Sequence, residues 1–157
     1  MVHIQYRLKS TLWMAAGAGL LFSLGACSNM QATNIVALSA SLTGAAEVPP
    51  TTTNATGMAE VTLNKDTRVL IWTVTFTGLT GPATAAHIHG PAAPGSNAGV
   101  VIPFTGTASP MEGQATLTEA QIADLLAGKW YVNVHTAANK GGEIRGQLAP
   151  KRLNPMM

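Results

Sequence analysis

The sequence predicts an all-β domain: a single antiparallel β-sandwich of Greek-key type, with about eight strands and one short helix. Three observations predict it. Short segments alternate apolar and polar side chains, the period-two pattern of a strand with one face in a core. Clusters of Gly, Pro, Asn and Asp punctuate these segments at the spacing of a sandwich. Thr, Ala, Val and Gly are abundant while only 10% of residues are charged, a composition that suits close packing of small residues on a sheet.

Residues 1–26 are read as lying outside that domain. Arg7 and Lys9 form a positive segment, and Leu12–Leu24 an apolar one too short for a comfortable transmembrane helix; together they have the pattern of a signal peptide. Leu24-Gly25-Ala26-Cys27 resembles a bacterial lipobox, which implies that Cys27 becomes the acylated first residue. Membrane lipid is then the first expected partner, and the protein is anchored in the bacterial cell envelope without spanning a bilayer. Ser28 after the cysteine resembles the outer-membrane sorting pattern of a Gram-negative cell. Cys27 is the only Cys, so no disulfide forms within the chain. With Arg7 and Lys9 removed, 7 basic residues face 7 acidic ones and the formal net charge is zero. The basic pI of the whole chain therefore says nothing about partners. No Lys/Arg cluster or aromatic platform points to nucleic acid. The remaining 131 of 157 residues suffice for one domain with a core.

In chain order, residues 27–34 read as a polar tether. Ile35–Thr43 is a strand with Val36, Leu38, Ala40 and Leu42 on its apolar face; Gly44 through Pro50 stops it, and Thr51–Asn54 is a loop. Gly57–Asn64 and Arg68–Thr77 form a hairpin across the turn at Asn64–Thr67, with Ala59, Val61 and Leu63 facing inward beside Leu70, Trp72, Val74 and Phe76. Ala83–His89 is a strand between Gly-Pro breaks. Ala92–Gly99 is a loop, and Val100–Phe104 and Gly113–Leu117 are short strands; Pro103 suits an edge. Thr118 and Gln121 make a capping box for a helix of about ten residues that Gly128 ends. Trp130–Thr136 and Glu143–Leu148 are the last strands. Tyr131, Asn133 and His135 share one face, and Glu143, Arg145 and Gln147 are expected to point outward. Residues 150–157 read as a frayed tail.

The candidate chemistry is in three histidines. His87 and His89 are spaced i, i+2, so in a strand both point to one side. His135 is the only other His beyond the leader. Three imidazoles suit copper or zinc, with copper ahead in the divalent order. Equally, an isolated His-x-His serves as ordinary core or surface residues. Arg145 reads as a solvated strand charge or an anion guide, and Tyr131 as a neighbour of His135 or a surface residue. No nucleophile motif, phosphate loop or hydrolase-type carboxylate pair is present.

Ser41 through Pro50, Ala86-His-Ile-His89-Gly90-Pro91, Tyr131-Val-Asn-Val-His135-Thr and Gly141-Gly-Glu-Ile-Arg145-Gly146 resemble a CHRD (chordin-type) domain over residues 35–149. That resemblance implies an all-β fold without a settled activity. A weaker one is to the Cu/Zn superoxide dismutase sandwich: Val69–Phe76, Gly78-Leu79-Thr80 and His87-Ile-His89 are similar to its strand, turn and copper motif. It implies copper-ligand positions for His87, His89 and His135, and an anion-guiding position for Arg145. The zinc ligands, the bridging His and the disulfide of that family have no counterpart here. Three functions follow as expectations. The first is a non-enzymatic envelope lipoprotein that binds copper, with zinc the lesser alternative. The second is a copper-only dismutase-like enzyme. The third is an adhesive module whose loops, such as Ala92–Gly99, bind protein or polysaccharide.

Overall fold

The computed structural model describes residues 34–151. The leader, Cys27, nearly all of the tether and the tail beyond residue 151 lie outside the described residues. Nine antiparallel strands form one sheet: β1 (Ile35–Thr43), β2 (Thr56–Asn64), β3 (Val69–Thr77), β4 (Ala83–His89), β5 (Val100–Pro103), β6 (Met111–Thr116), β7 (Tyr131–Thr136), β8 (Ile144–Gln147) and the two-residue β9 (Ala149–Pro150). The order is β5-β4-β7-β8-β1-β2-β3-β6, with β9 against β1. Among the described residues no helix is long and apolar enough to cross a membrane.

The alternation seen in the sequence sets the inner surface. Leu38, Ala40, Leu42, Ala59, Val61, Leu63, Leu70, Trp72 and Val74 come from β1–β3; Ala86, Ile88, Val132, Val134 and Ile144 come from β4, β7 and β8. All belong to one buried cluster. The sheet thus folds over a common core, and each large apolar side chain taken from water stabilises it by roughly 1.5–3 kcal/mol. Trp72 stacks on Phe104, with ring centroids 5.0 Å apart. The β2–β3 turn is an Asx turn: Asn64 Oδ1 accepts from the Asp66 and Thr67 amides.

The helix α1 (Glu119–Leu126) carries both bonds of the expected capping box and is shorter than the sequence suggested. Gly128 follows with φ +71°, the left-handed conformation that ends helices at little cost for glycine. Two expectations are corrected. The frayed tail does not begin at Pro150, because Lys151 N donates to Ala37 O and β9 lies on β1. Glu143 and Arg145 do not reach solvent: they are 0% and 2% exposed. They occupy the face of the sheet opposite the apolar core, as their parity requires, but loops cover that face.

Candidate metal centre

Strands β4 and β7 run antiparallel and adjacent, with Ala85 opposite His135, His87 opposite Asn133 and His89 opposite Tyr131. In such a pair, opposed residues project to the same side. The register therefore gathers His87, His89, Tyr131, Asn133 and His135 on one face, away from the core. Arg145 joins them from β8, opposite Asn133. The question left by the sequence is settled geometrically: one ligand atom from each of His87, His89 and His135 lies within 4.8 Å of the others. His87 Nδ1 is 3.0 Å from His135 Nε2.

Hydrogen bonds to carbonyls orient two of the rings. A carbonyl oxygen only accepts, so His89 Nδ1 donates to Ala98 O (3.0 Å) and His135 Nδ1 donates to Lys140 O (2.9 Å). Each ring is thereby the tautomer with a bare Nε2. The backbone plays the part usual for the outer partner of a metal-bound histidine, fixing tautomer and ring direction. His89 Nε2 is buried and has no hydrogen-bond partner.

Burial lowers the pKa of His87, and repulsion from His135 and His89 lowers it further. Burial also lowers that of His89, although its bond to Ala98 O pulls the other way. Both rings are thus held neutral near pH 7, the form a metal requires. The arrangement is close enough to hold a metal ion: ligand atoms of three imidazoles lie within 4.8 Å of one another, two rings present bare Nε2 atoms, and one of these is otherwise an orphan. Ligands of a tetrahedral ion at about 2.05 Å sit about 3.4 Å apart, so the widest pair is open by roughly 1.4 Å. Rotation of the half-buried His87 ring is the least hindered way to close it.

Around the histidines lies a second polar layer. Tyr131 stacks on His89, ring centroids 4.8 Å apart and nearly parallel. The Arg145 guanidinium sits 3.4 Å from the centre of the Tyr131 ring. Arg145 donates to Asn97 Oδ1 (2.9 Å) and Ser96 O (2.7 Å), and Tyr131 OH accepts from Ala98 N (3.1 Å). These bonds tie down the inner side of the 92–99 loop; its outer residues stay exposed. Arg145 thus lies beside the histidines with two of its nitrogens engaged by this loop.

Glu47, within the Gly44–Pro50 segment that stops the first strand, is 5% exposed, and its Oε1 has no partner. Burial pushes its carboxyl up, against the opposing pull of Arg145. Asn133 is the residue of this site that the sequence placed on the right face without singling it out. The available signal was parity, since Asn133 lies midway between Tyr131 and His135 on their face.

A family model described as CHRD domain matches residues 38–148 of the chain. No curated protein and no solved structure matches it.

Proposed function

The chain belongs to the CHRD domain family, and from that premise we propose that it is a lipid-anchored protein of the bacterial cell envelope whose domain binds copper through His87, His89 and His135. One observation carries the metal reading: one ring nitrogen from each of His87, His89 and His135 lies within 4.8 Å of the others, while the bonds to Ala98 O and Lys140 O leave Nε2 of His89 and His135 bare. Ordinary buried histidines satisfy both nitrogens; here His89 Nε2 is left with none. An all-imidazole set suits copper and zinc alike, and the divalent order favours copper. The anchoring reading rests on Leu24–Cys27 and the apolar stretch before it.

The test is calorimetric titration of the full chain in detergent with Cu(II) and with Zn(II), beside metal analysis of the protein as purified. One equivalent of Cu(II) bound more tightly than Zn(II) supports the proposal. Affinity weaker than about 10 µM for both metals (roughly −7 kcal/mol) overturns it, and adhesion through the exposed residues of the 92–99 loop becomes the leading reading.

A second reading, a copper-dependent superoxide dismutase-like enzyme, is favoured by one feature. His87 is the half-buried member of the trio while His89 and His135 are buried, so a small molecule has one open side from which to approach. A superoxide-consumption assay on the copper-loaded chain tests it, and a rate no greater than that of free copper refutes it.

A further inference from the structure

Donor and acceptor bookkeeping at the histidines shows a shortage of protons. His135 Nε2 is bare because its Nδ1 donates to Lys140 O. Two atoms nevertheless approach that Nε2 at 3.0 Å: His87 Nδ1, which can bring one hydrogen, and Asn133 Oδ1, which has none. His89 Nε2, also bare, has no partner at all. A carbonyl oxygen set against an imidazole lone pair is repulsive unless the ring takes a second proton, the amide is turned over or a cation stands between them; with ligand atoms of three imidazoles within 4.8 Å of one another, one metal ion is the cation that all of them can share.

Turning the amide over does not resolve the conflict. Asn133 Nδ2 now reaches toward Gly141 O, at a long 3.5 Å. On the same side lies the buried Glu47 carboxylate. A Cβ added at Gly142 would overlap Glu47 Oε1 and come 2.8 Å from Asn133 Nδ2, so carboxyl and amide nitrogen crowd the same glycine, although Glu47 Oε1 has no hydrogen-bond partner there. Flipping would point the amide oxygen at a carbonyl and a carboxylate, exchanging one oxygen clash for two. The amide belongs with its nitrogen toward Glu47 and its oxygen toward the histidines. Asn133 is 3% exposed, so no bulk water relieves that oxygen.

We propose that Asn133 Oδ1 is a fourth donor to the metal ion, and that Glu47 is the positioning residue that aims it. The inference rests on the three-histidine reading above and gives that site a selectivity. Three imidazoles and one amide oxygen form a harder donor set than imidazoles alone. Such a set favours a divalent ion, Cu(II) or Zn(II), over Cu(I), which prefers soft ligands. Glu47 has the place that an outer carboxylate takes behind a ligand in other metal sites, here acting through an amide.

The test uses the full chain in detergent, titrated with Cu(II) against a competing chelator and followed by electron paramagnetic resonance of the bound Cu(II). Asn133→Ala should weaken Cu(II) binding about 10–100-fold and alter the hyperfine pattern. Asn133→Asp should retain Cu(II) with a pattern shifted by the charged oxygen. Glu47→Leu should weaken binding about tenfold, and Glu47→Gln, which keeps an acceptor oxygen toward the amide, should restore most of it. Wild-type affinity and an unchanged spectrum in Asn133→Ala would overturn the fourth donor while leaving the three-histidine site standing. Absence of binding in the wild type would instead remove the underlying reading and this inference together. If circular dichroism shows that Asn133→Ala does not fold, Asn133→Asp decides, because a spectrum identical to wild type excludes oxygen coordination from this position.

Discussion

Replacing Glu143 with Gln should remove a share of the stability that depends on pH. The side chain is fully buried. Its oxygens accept from Thr53 Oγ1 (2.8 Å), Thr80 N (2.8 Å), Thr80 Oγ1 (2.7 Å), Thr136 Oγ1 (2.6 Å) and Asn139 Nδ2 (3.1 Å). Burial alone would push the carboxyl up, but the hydroxyls of Thr136, Thr80 and Thr53 with the Thr80 amide outweigh it and bring the pKa down from 4.5 to about 2. At about 1.4 kcal/mol per unit, that difference makes the ionised form worth about 3 kcal/mol to the folded state. The folded pKa lies below the unfolded one. The contribution is therefore complete above the unfolded value of 4.5 and disappears as pH falls from there through about 2. Urea unfolding followed by tryptophan fluorescence, on wild type and Glu143→Gln, measures it. The gap between the two should be about 3 kcal/mol near pH 7 and shrink toward zero near pH 2. Subtracting the variant removes the other carboxylates, including Glu47, whose raised pKa acts in the opposite sense. A gap that is the same at both pH values would refute ionised Glu143 as its source.

Four other outcomes are expected. His87→Ala, His89→Ala and His135→Ala should each weaken Cu(II) binding by at least about tenfold in calorimetry. Wild-type affinity should fall as pH drops, and the lowered pKa values of His87 and His89 place the share of that loss due to those two rings below the ordinary histidine range. Trp72→Ala should cost about 3–5 kcal/mol in urea unfolding, since the ring is buried against Phe104 and the site of Gly113; a loss under about 1 kcal/mol would contradict that packing. Cys27→Ser should abolish palmitate labelling of the chain, and persistent labelling would refute the lipid anchor.

Alternation carried most of the fold. β1 and β4 begin and end where the sequence placed them: β1 has an unbroken apolar face from Val36 to Leu42, and Gly-Pro breaks bracket β4. Thr118, Gln121 and Gly128 marked the helix for a local reason, as caps act within a few residues. What alternation cannot report is what covers the second face. Arg145 and Glu143 were assigned to the correct side of β8, yet both are buried, because partners distant in sequence fold over them. Ser96 and Asn97 meet Arg145, and Thr53 and Thr80 meet Glu143. The candidate site divides along the same line. His-x-His was visible as spacing, but the approach of His135 depended on β4 pairing with β7 in one register. A one-residue slip would have sent His135 into the core. Asn133 and Glu47 had no signature of their own, since one is a polar residue between two others and the second precedes a Pro-Pro turn.

The ligands are aimed by backbone carbonyls of two loops, and this couples the metal site to loop order. Ala98 O orients His89, and Lys140 O orients His135. Opening either loop frees a ring to rotate its Nε2 away, so an opening that breaks these bonds must also release the ion. Binding should therefore oppose such openings by the full free energy of occupancy, about 2.7 kcal/mol at a metal concentration one hundred times Kd. Amide hydrogen exchange reads this residue by residue. Exchange at Ala98, whose N–H donates to Tyr131 OH, and at Gly142, whose N–H donates to Asn139 O, should slow up to about a hundredfold on adding Cu(II). Amides of the edge strand β6 that open locally leave the site intact and should not respond. Were the whole domain to gain thermal stability with copper while Ala98 and Gly142 exchanged as before, the loops would be opening with the metal still held. The two carbonyls would then not be what orients the ligands.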